Sequence, residues 1–217
     1  METRKILIVT KTYPEISKKY GETVCTAGLL LDDDEKPMQW VRIYPVRYRD
    51  LDFDQRYPRW GIIQASIERN QKDYREESYR INDQTIKLLR KLDTKDQWEE
   101  RRKFFEPFLV PSIEQIKAQG ESLGLIRPHD VAYSYEESDR EWTSSKQAVL
   151  DQYDLLNPKE PGSDLEKIPY KFFYKFNDST GKHRCSIIDW EICQLYRKMR
   201  ETSKMHAKES KEKEALE

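Results

Sequence analysis

Four short apolar runs crowd into the first 70 residues, and their spacing restricts what this chain can fold into more than any other feature. Ile6 to Val9 is continuous, flanked by charge and followed by turn residues around Pro14, which reads as a strand buried on both faces. In Thr23 to Leu31 the odd positions Cys25, Ala27, Leu29 and Leu31 are apolar, and Gly28 marks a bulge or a close backbone approach. Asp32, Asp33, Asp34 and Glu35 turn the chain, and Trp40 to Tyr44 returns with Val41 and Ile43 on one face, so a hairpin is the simplest pairing. Gly61 to Ile67 adds a strand with Ile63, Ala65 and Ile67 on one side, and Asn70 to Glu77 is polar and reads as a loop. Four or five short strands in about 80 residues predict a small barrel of the OB or SH3-like kind.

Beyond this the period changes. Asp83 is expected to cap a helix through Leu92 and Thr94 to start a second, along which Trp98, Arg102, Phe105 and Leu109 recur at helical spacing. Ser112 starts a third before Gly120. Val131, Tyr133 and Tyr135 alternate as in a strand, as do Phe172, Tyr174 and Phe176. Asp189 stands where an N-cap belongs, ahead of a stripe formed by Ile192, Leu195, Tyr196 and Met199. From Ser203 onward Lys and Glu alternate with almost nothing to bury, which predicts a frayed or disordered tail. The expected fold class is therefore α+β. It comprises an OB-like β-barrel over 1–82, a helical connector over 83–120, a second small β-unit closed by a C-terminal helix over 121–202, and a charged tail over 203–217.

Charged residues make up 36% of the chain, a balance that by itself favours disorder, but 5 Trp, 13 Tyr and 7 Phe argue for a folded core. With 39 basic residues against 40 acidic ones the protein is not globally cationic, yet a local basic face is permitted. Cys25, Cys185 and Cys193 form neither a disulfide framework nor a CxxC pair, and no apolar leader precedes the first strand, so a cytoplasmic location is expected. No run approaches the roughly 18 apolar residues of a membrane span, and no membrane partner is expected.

The densest chemistry lies in Trp40, Arg42, Tyr44, Arg47, Tyr48 and Arg49. On a strand Trp40, Arg42 and Tyr44 share the face opposite Val41 and Ile43, and Pro45 ends the ladder so that Arg47, Tyr48 and Arg49 follow on a loop. Exposed aromatics offer stacking surfaces and guanidinium groups offer phosphate contacts, the combination with which small barrels bind single strands. The competing reading packs Trp40 and Tyr44 against the helical connector and pairs the arginines with Asp50, Asp52 and Asp54.

The features Ile6 to Val9, Cys25-Thr26-Ala27-Gly28, Trp40-Val41-Arg42 and Tyr74-Arg75-Glu76-Glu77-Ser78-Tyr79 resemble the dual-OB domain family, little-characterised prokaryotic proteins often linked to anti-phage or other conflict systems. The resemblance covers the first 80 or so residues. It implies paired OB-like barrels that recognise nucleic acid or a nucleotide-derived ligand, with no catalytic residues to carry over.

Other constellations are weaker. His183 and Cys185, two apart, with Cys193 offer soft zinc ligands, but a fourth is missing and His129 and His206 are remote in sequence, so no metal or other cofactor is expected. Asp189 and Glu191 follow a buried run, as carboxylates do in metal-dependent nucleases, but a cap and a first-turn acid explain both. Cys25 reads as a small core residue. The cluster Arg101, Arg102, Lys103 is interleaved with Glu99, Glu100 and Glu106 and reads as a solvated helix face. No GxSxG and no phosphate-cradling glycine loop occurs. The leading expectation is a binding module for nucleic acid or a nucleotide ligand. A protein-interaction subunit docking onto a larger effector comes next, and a metal-dependent nuclease third.

Overall fold

The computed structural model describes residues 1–156 and 165–217 of the chain. The protein is mixed α+β. The first strands are β1 (Glu2–Lys11), β2 (Glu15–Ser17), β3 (Gly21–Leu31), β4 (Pro37–Val46), β5 (Gly61–Arg69) and β6 (Ser78–Lys91). They form one six-stranded sheet in the order β1-β5-β6-β4-β3-β2, and β1 also pairs with β3. The pairings thus close a cycle through β1, β3, β4, β6 and β5, antiparallel throughout except between β4 and β6, which run parallel.

Alternation along these strands sorts side chains into two cores. Ile6, Ile8, Val41, Ile43, Ile63, Ile67 and Ile86 fill the inside of the cycle, where Tyr57 donates to or accepts from Thr26 at 2.8 Å. Leu7, Leu29, Leu31 and Ile62 point outward and are nevertheless buried, because Leu92 and Phe104 cover them. The continuous apolar run at Ile6 to Val9 reflects this two-sided burial. Gly28 lies against the neighbouring strand: a Cβ there would sit 2.5 Å from the Leu7 carbonyl oxygen.

The helix expected from Asp83 to Leu92 is absent, since these residues continue β6. That strand is the one available to bridge β5 and β4, and over 82–91 its polar residues are exposed or half-buried while Ile86 is buried inside. Backbone pairing along two strands outweighs the helical apolar spacing. The helix expected from Thr94 forms only in part, as α1 (Lys95–Phe105): Thr94 makes no side-chain cap, Asp96, Gln97 and Trp98 have left-handed backbone angles, and the helix lies on the outer core through Phe104.

After α1 come β7 (Leu109–Val110), α2 (Ile113–Ala118) and β8 (Leu125–Ile126), with β7 and β8 paired in parallel. Ser112 caps α2 by accepting from the Gln115 amide at 3.2 Å. The strands β9 (His129–Glu137), β10 (Tyr170–Asn177) and β11 (Lys182–Ile187) form a second, antiparallel sheet with β9 at one edge. Between β9 and β10 runs α3 (Ser144–Leu156), whose Leu150 packs with Ile16 and Leu165.

The helix α4 (Trp190–Thr202) is capped by Asp189, which accepts from the Ile192 amide at 2.8 Å, and it buries Cys193 and Tyr196 against Phe172 and Ile168. The expected tail is instead docked. Residues 208–214 form α5 (Lys208–Glu214), Leu216 joins the Phe172 core, and the buried Glu212 accepts from both Arg140 nitrogens at 3.1 and 3.0 Å and from Tyr170 at 3.0 Å. Two fixed hydrogen-bond donors elsewhere in the chain hold a segment that has little apolar surface of its own. No helix among the described residues is long and apolar enough to cross a membrane.

Candidate functional site

The segment from Trp40 to Arg49 begins on β4 and leaves it at Pro45 and Val46, after which Tyr48 to Asp50 makes a 3-10 turn. Strand pairing sets Trp40 opposite Leu29 and Arg42 opposite Ala27, so both lie on the outer face of the sheet. That face is covered at one end and open at the other. Trp40 stands under the cover, its ring edge-on to Phe108 at 5.8 Å and packed on the Leu7 and Leu29 core.

Arg42 and Tyr44 stand at the open end. The Arg42 guanidinium lies 5.1 Å from the centre of the Tyr44 ring, and its Nη1 reaches Asp73 Oδ2 and Ser78 Oγ, each at 3.4 Å. Asp73 is shared with Arg75, whose two bonds at 2.9 and 2.8 Å hold its carboxyl well below the usual carboxylate range. Both Arg42 and Tyr44 line a cavity of about 910 Å³ between the first unit and the second sheet, opposite Phe173, Lys171 and Trp142. Cys25 lines the same cavity. Burial pushes its thiol above the ordinary value although Arg42 lies near, which disfavours the thiolate.

The rest of the segment goes elsewhere. Arg47 donates from Nε to Asp83 at 3.4 Å and lines a different groove of about 600 Å³ beside Lys18 and Arg80. Tyr48 is wedged between Tyr57 and Trp190, at 5.0 and 5.3 Å between ring centres, and donates to the Tyr57 carbonyl. Burial pushes its hydroxyl up to about 12. Arg49 donates at 2.7 Å to Glu22, which is 3% exposed. The six residues therefore do not converge: Arg42 and Tyr44 face the cleft, Arg47 faces another groove, and Trp40, Tyr48 and Arg49 take part in packing and buried pairing. The arginines are paired, but with Asp73, Asp83 and Glu22 and not with Asp50, Asp52 and Asp54.

The other candidates resolve on geometry. His183 does not meet a cysteine. Its Nε2 lies 3.0 Å from Asp178 Oδ1 and 3.7 Å from Glu114 Oε2, and these three residues are the one group among those described that could hold a metal ion. Both Asp178 oxygens are already engaged, Oδ1 by the Thr180 amide and hydroxyl at 2.8 and 2.7 Å and Oδ2 by the Ile113 amide at 2.9 Å, so the cluster ties the β10–β11 turn to the start of α2. Cys193 lies in the core.

Asp189 is spent as a cap, and Glu191 pairs with the buried Lys11 at 3.5 Å. Sequence reasoning missed Trp60, Arg59 and Arg101, which the fold gathers around one cavity. No local motif marks them, since they come from a turn and from a helix more than 40 residues later.

Residues 2–107 match the family described as a domain of unknown function (DUF8758), and residues 111–215 match a second so described (DUF8757). The two matches meet between α1 and α2. No curated protein matches the chain.

Proposed function

We propose that the protein is a binding module for single-stranded nucleic acid or a nucleotide ligand, held in the cleft beside β3 and β4. The observation that carries this reading is the Arg42 and Tyr44 pair, a guanidinium beside an aromatic ring on the wall of a cleft of about 910 Å³. Stacking on such a ring is tolerant of base identity, and the adjacent cation serves the phosphate. Supporting it, the cycle of pairings taken without the short β2 runs first, second, third, fifth, fourth strand and back, with the third and fifth parallel. We read this as an OB-like barrel, whose second and third strands, here β3 and β4, are the usual binding face. The sequence resemblance to the dual-OB family points the same way and would place the protein in a prokaryotic defence system.

The test is fluorescence anisotropy with labelled single-stranded RNA and DNA, and calorimetry with nucleotides, at low salt where phosphate contacts are strongest. Arg42→Ala and Tyr44→Ala should each weaken binding by about 1–3 kcal/mol, the usual worth of one stacking or phosphate contact. Absence of binding by RNA, DNA and nucleotides alike sinks the proposal.

A second reading, docking onto a larger protein, rests on the second sheet. Tyr133, Tyr135 and Tyr174 are each more than 40% exposed, and with Val131 they form an aromatic face beside the uncovered edge strand β9.

A further inference from the structure

Arginines in this protein usually meet carboxylates. Arg42, Arg49, Arg75, Arg90, Arg102, Arg140, Arg184, Arg197 and Arg200 all do. Arg59 and Arg101 do not, and they meet at one cavity. A cavity of about 520 Å³ lies where the end of β1, the turn before β5, the end of β6 and the helix α1 meet, and four cations line it: Lys11, Arg59, Lys91 and Arg101. Glu191 is the single carboxylate on its wall, and it is paired with Lys11. Among the described residues, Arg59, Lys91 and Arg101 have no carboxylate within ion-pair distance.

Arg101 is the unusual member. It is 6% exposed, its Nη2 donates to the Leu92 carbonyl at 3.3 Å, and its Nε is buried with no hydrogen-bond partner. Its guanidinium lies between two indoles, 5.1 Å from Trp60 and 5.3 Å from Trp98. A second guanidinium, Arg59, stands 5.7 Å from the same Trp60 ring and is fixed by a 2.9 Å bond to the Val9 carbonyl. Burial, then repulsion from Arg59, lowers the Arg101 pKa from its ordinary value, with Asp93 and Glu100, neither at ion-pair distance, opposing the fall.

A buried cation with no carboxylate at ion-pair distance is costly, and a second cation beside it adds to the cost. Both guanidiniums are also held in place, by ring faces and backbone carbonyls, before any anion arrives. Trp98 is the last of three consecutive residues with positive φ, a backbone state that non-glycine side chains keep only where the surroundings over-determine it. The missing component is an anion with several acceptor oxygens, because two planar forks and two ammonium groups satisfy more lone pairs than one carboxylate offers.

We propose that this cavity binds the phosphoryl groups of a small phosphorylated ligand, with Arg101 and Arg59 as the forks, Lys91 at the mouth and Trp98, half exposed, flanking the entrance. The site is separate from the Arg42 cleft and does not depend on it.

The test titrates the full-length protein at low salt with sodium pyrophosphate and, separately, with ATP, read by calorimetry and by the change in tryptophan fluorescence that a ligand beside Trp60 and Trp98 should cause. The two arms separate a bare polyphosphate from a nucleotide. Saturable one-to-one binding is expected of at least one, with affinity falling at least tenfold in Arg101→Met and in Arg59→Gln. If Arg101→Met does not fold by circular dichroism, Arg59→Gln and the exposed Lys91→Gln decide. Failure of both probes to bind, or binding that neither Arg59→Gln nor Arg101→Met weakens, overturns the proposal. So does binding of a single-stranded RNA through Arg101 and Arg59 when neither small probe binds, which would assign the cavity to a nucleic-acid backbone. Pyrophosphate binding lost in Arg59→Gln while single-stranded RNA binding is kept would show the two sites acting apart.

Discussion

The segment from Trp40 to Arg49 and the cavity around Trp60 and Arg101 have the same ingredients, aromatic rings and arginines, and opposite electrostatics. In the first, three arginines within eight residues each find a carboxylate, and one of those carboxylates, Glu22, is buried. In the second, arginines far apart in sequence come together with Lys91, and among the described residues none of the three has a carboxylate at ion-pair distance. Local density of basic and aromatic residues therefore says little about where charge is left uncompensated. Compensation is a property of neighbours in space, and Asp73, Asp83 and Glu22 reach the first segment from three other elements.

The largest effect that would sharpen this contrast is expected at Phe104, the side chain that fixes α1 on Leu7, Leu29 and Ile62. Phe104→Ala should cost about 3 kcal/mol or more by denaturant unfolding, as for other buried aromatics. Anion binding at Arg101 should weaken with it while the Arg42 cleft is spared. Equal loss at both sites would show that the two regions are not independent.

The next effect compares two arginines directly. Arg49→Ala removes a charge-assisted bond to a buried carboxylate and should cost about 2 kcal/mol. Arg101→Met removes a buried cation with no carboxylate at ion-pair distance among the described residues and should change stability, without ligand, by less than about 1 kcal/mol, since lost contacts with Trp60 and Trp98 are offset by relief of desolvation. A cost at Arg101 as large as that at Arg49 would break the comparison.

The smallest effect is a pH dependence at Asp73. Its carboxyl titrates below the usual range because Arg75 and Ser78 donate to it, so its contribution is fully present above the unfolded value of about 3.9 and is lost as pH falls through the folded value. Melting temperature followed from pH 6 downward should fall less steeply in the acid range in Asp73→Asn than in the natural protein. The same substitution removes the carboxylate from Arg42, and low-salt affinity for single strands should rise. A fall would mean that Asp73 positions Arg42 for binding.

Much of the first unit was legible in the sequence. The runs at Ile6, Thr23, Trp40 and Gly61 are the strands β1, β3, β4 and β5, and Gly28 stands where a side chain would strike the Leu7 carbonyl. Asp189 and Ser112 cap the helices they precede, because capping needs only an oxygen three residues before an amide. Residues 83–91 were not legible as a strand. Their apolar positions fit a helix, and only the unpaired flanks of β4 and β5 make a long strand the better use of that backbone. The docked tail was hidden for a similar reason, since Glu212 is held by Arg140 and Tyr170, which nothing in the lysine and glutamate pattern reveals.

The candidate sites divide in the same way. Alternation along β4 separates Val41 and Ile43, which enter the core, from Trp40, Arg42 and Tyr44, which point outward. It cannot say that Phe108 covers Trp40 while the cleft leaves Tyr44 on its wall. Nor can it distinguish Arg101, buried between two indoles, from Arg102 and Lys103 beside it, which pair with Glu106 and Glu99 on the solvated face. By itself the sequence determined which residues form strands and caps and which strand faces are apolar, because those depend on backbone period and near neighbours. Only the tertiary structure decided which cations are neutralised and which are left facing a cavity, because that balance is struck between side chains tens of residues apart, over a few ångströms and out of water.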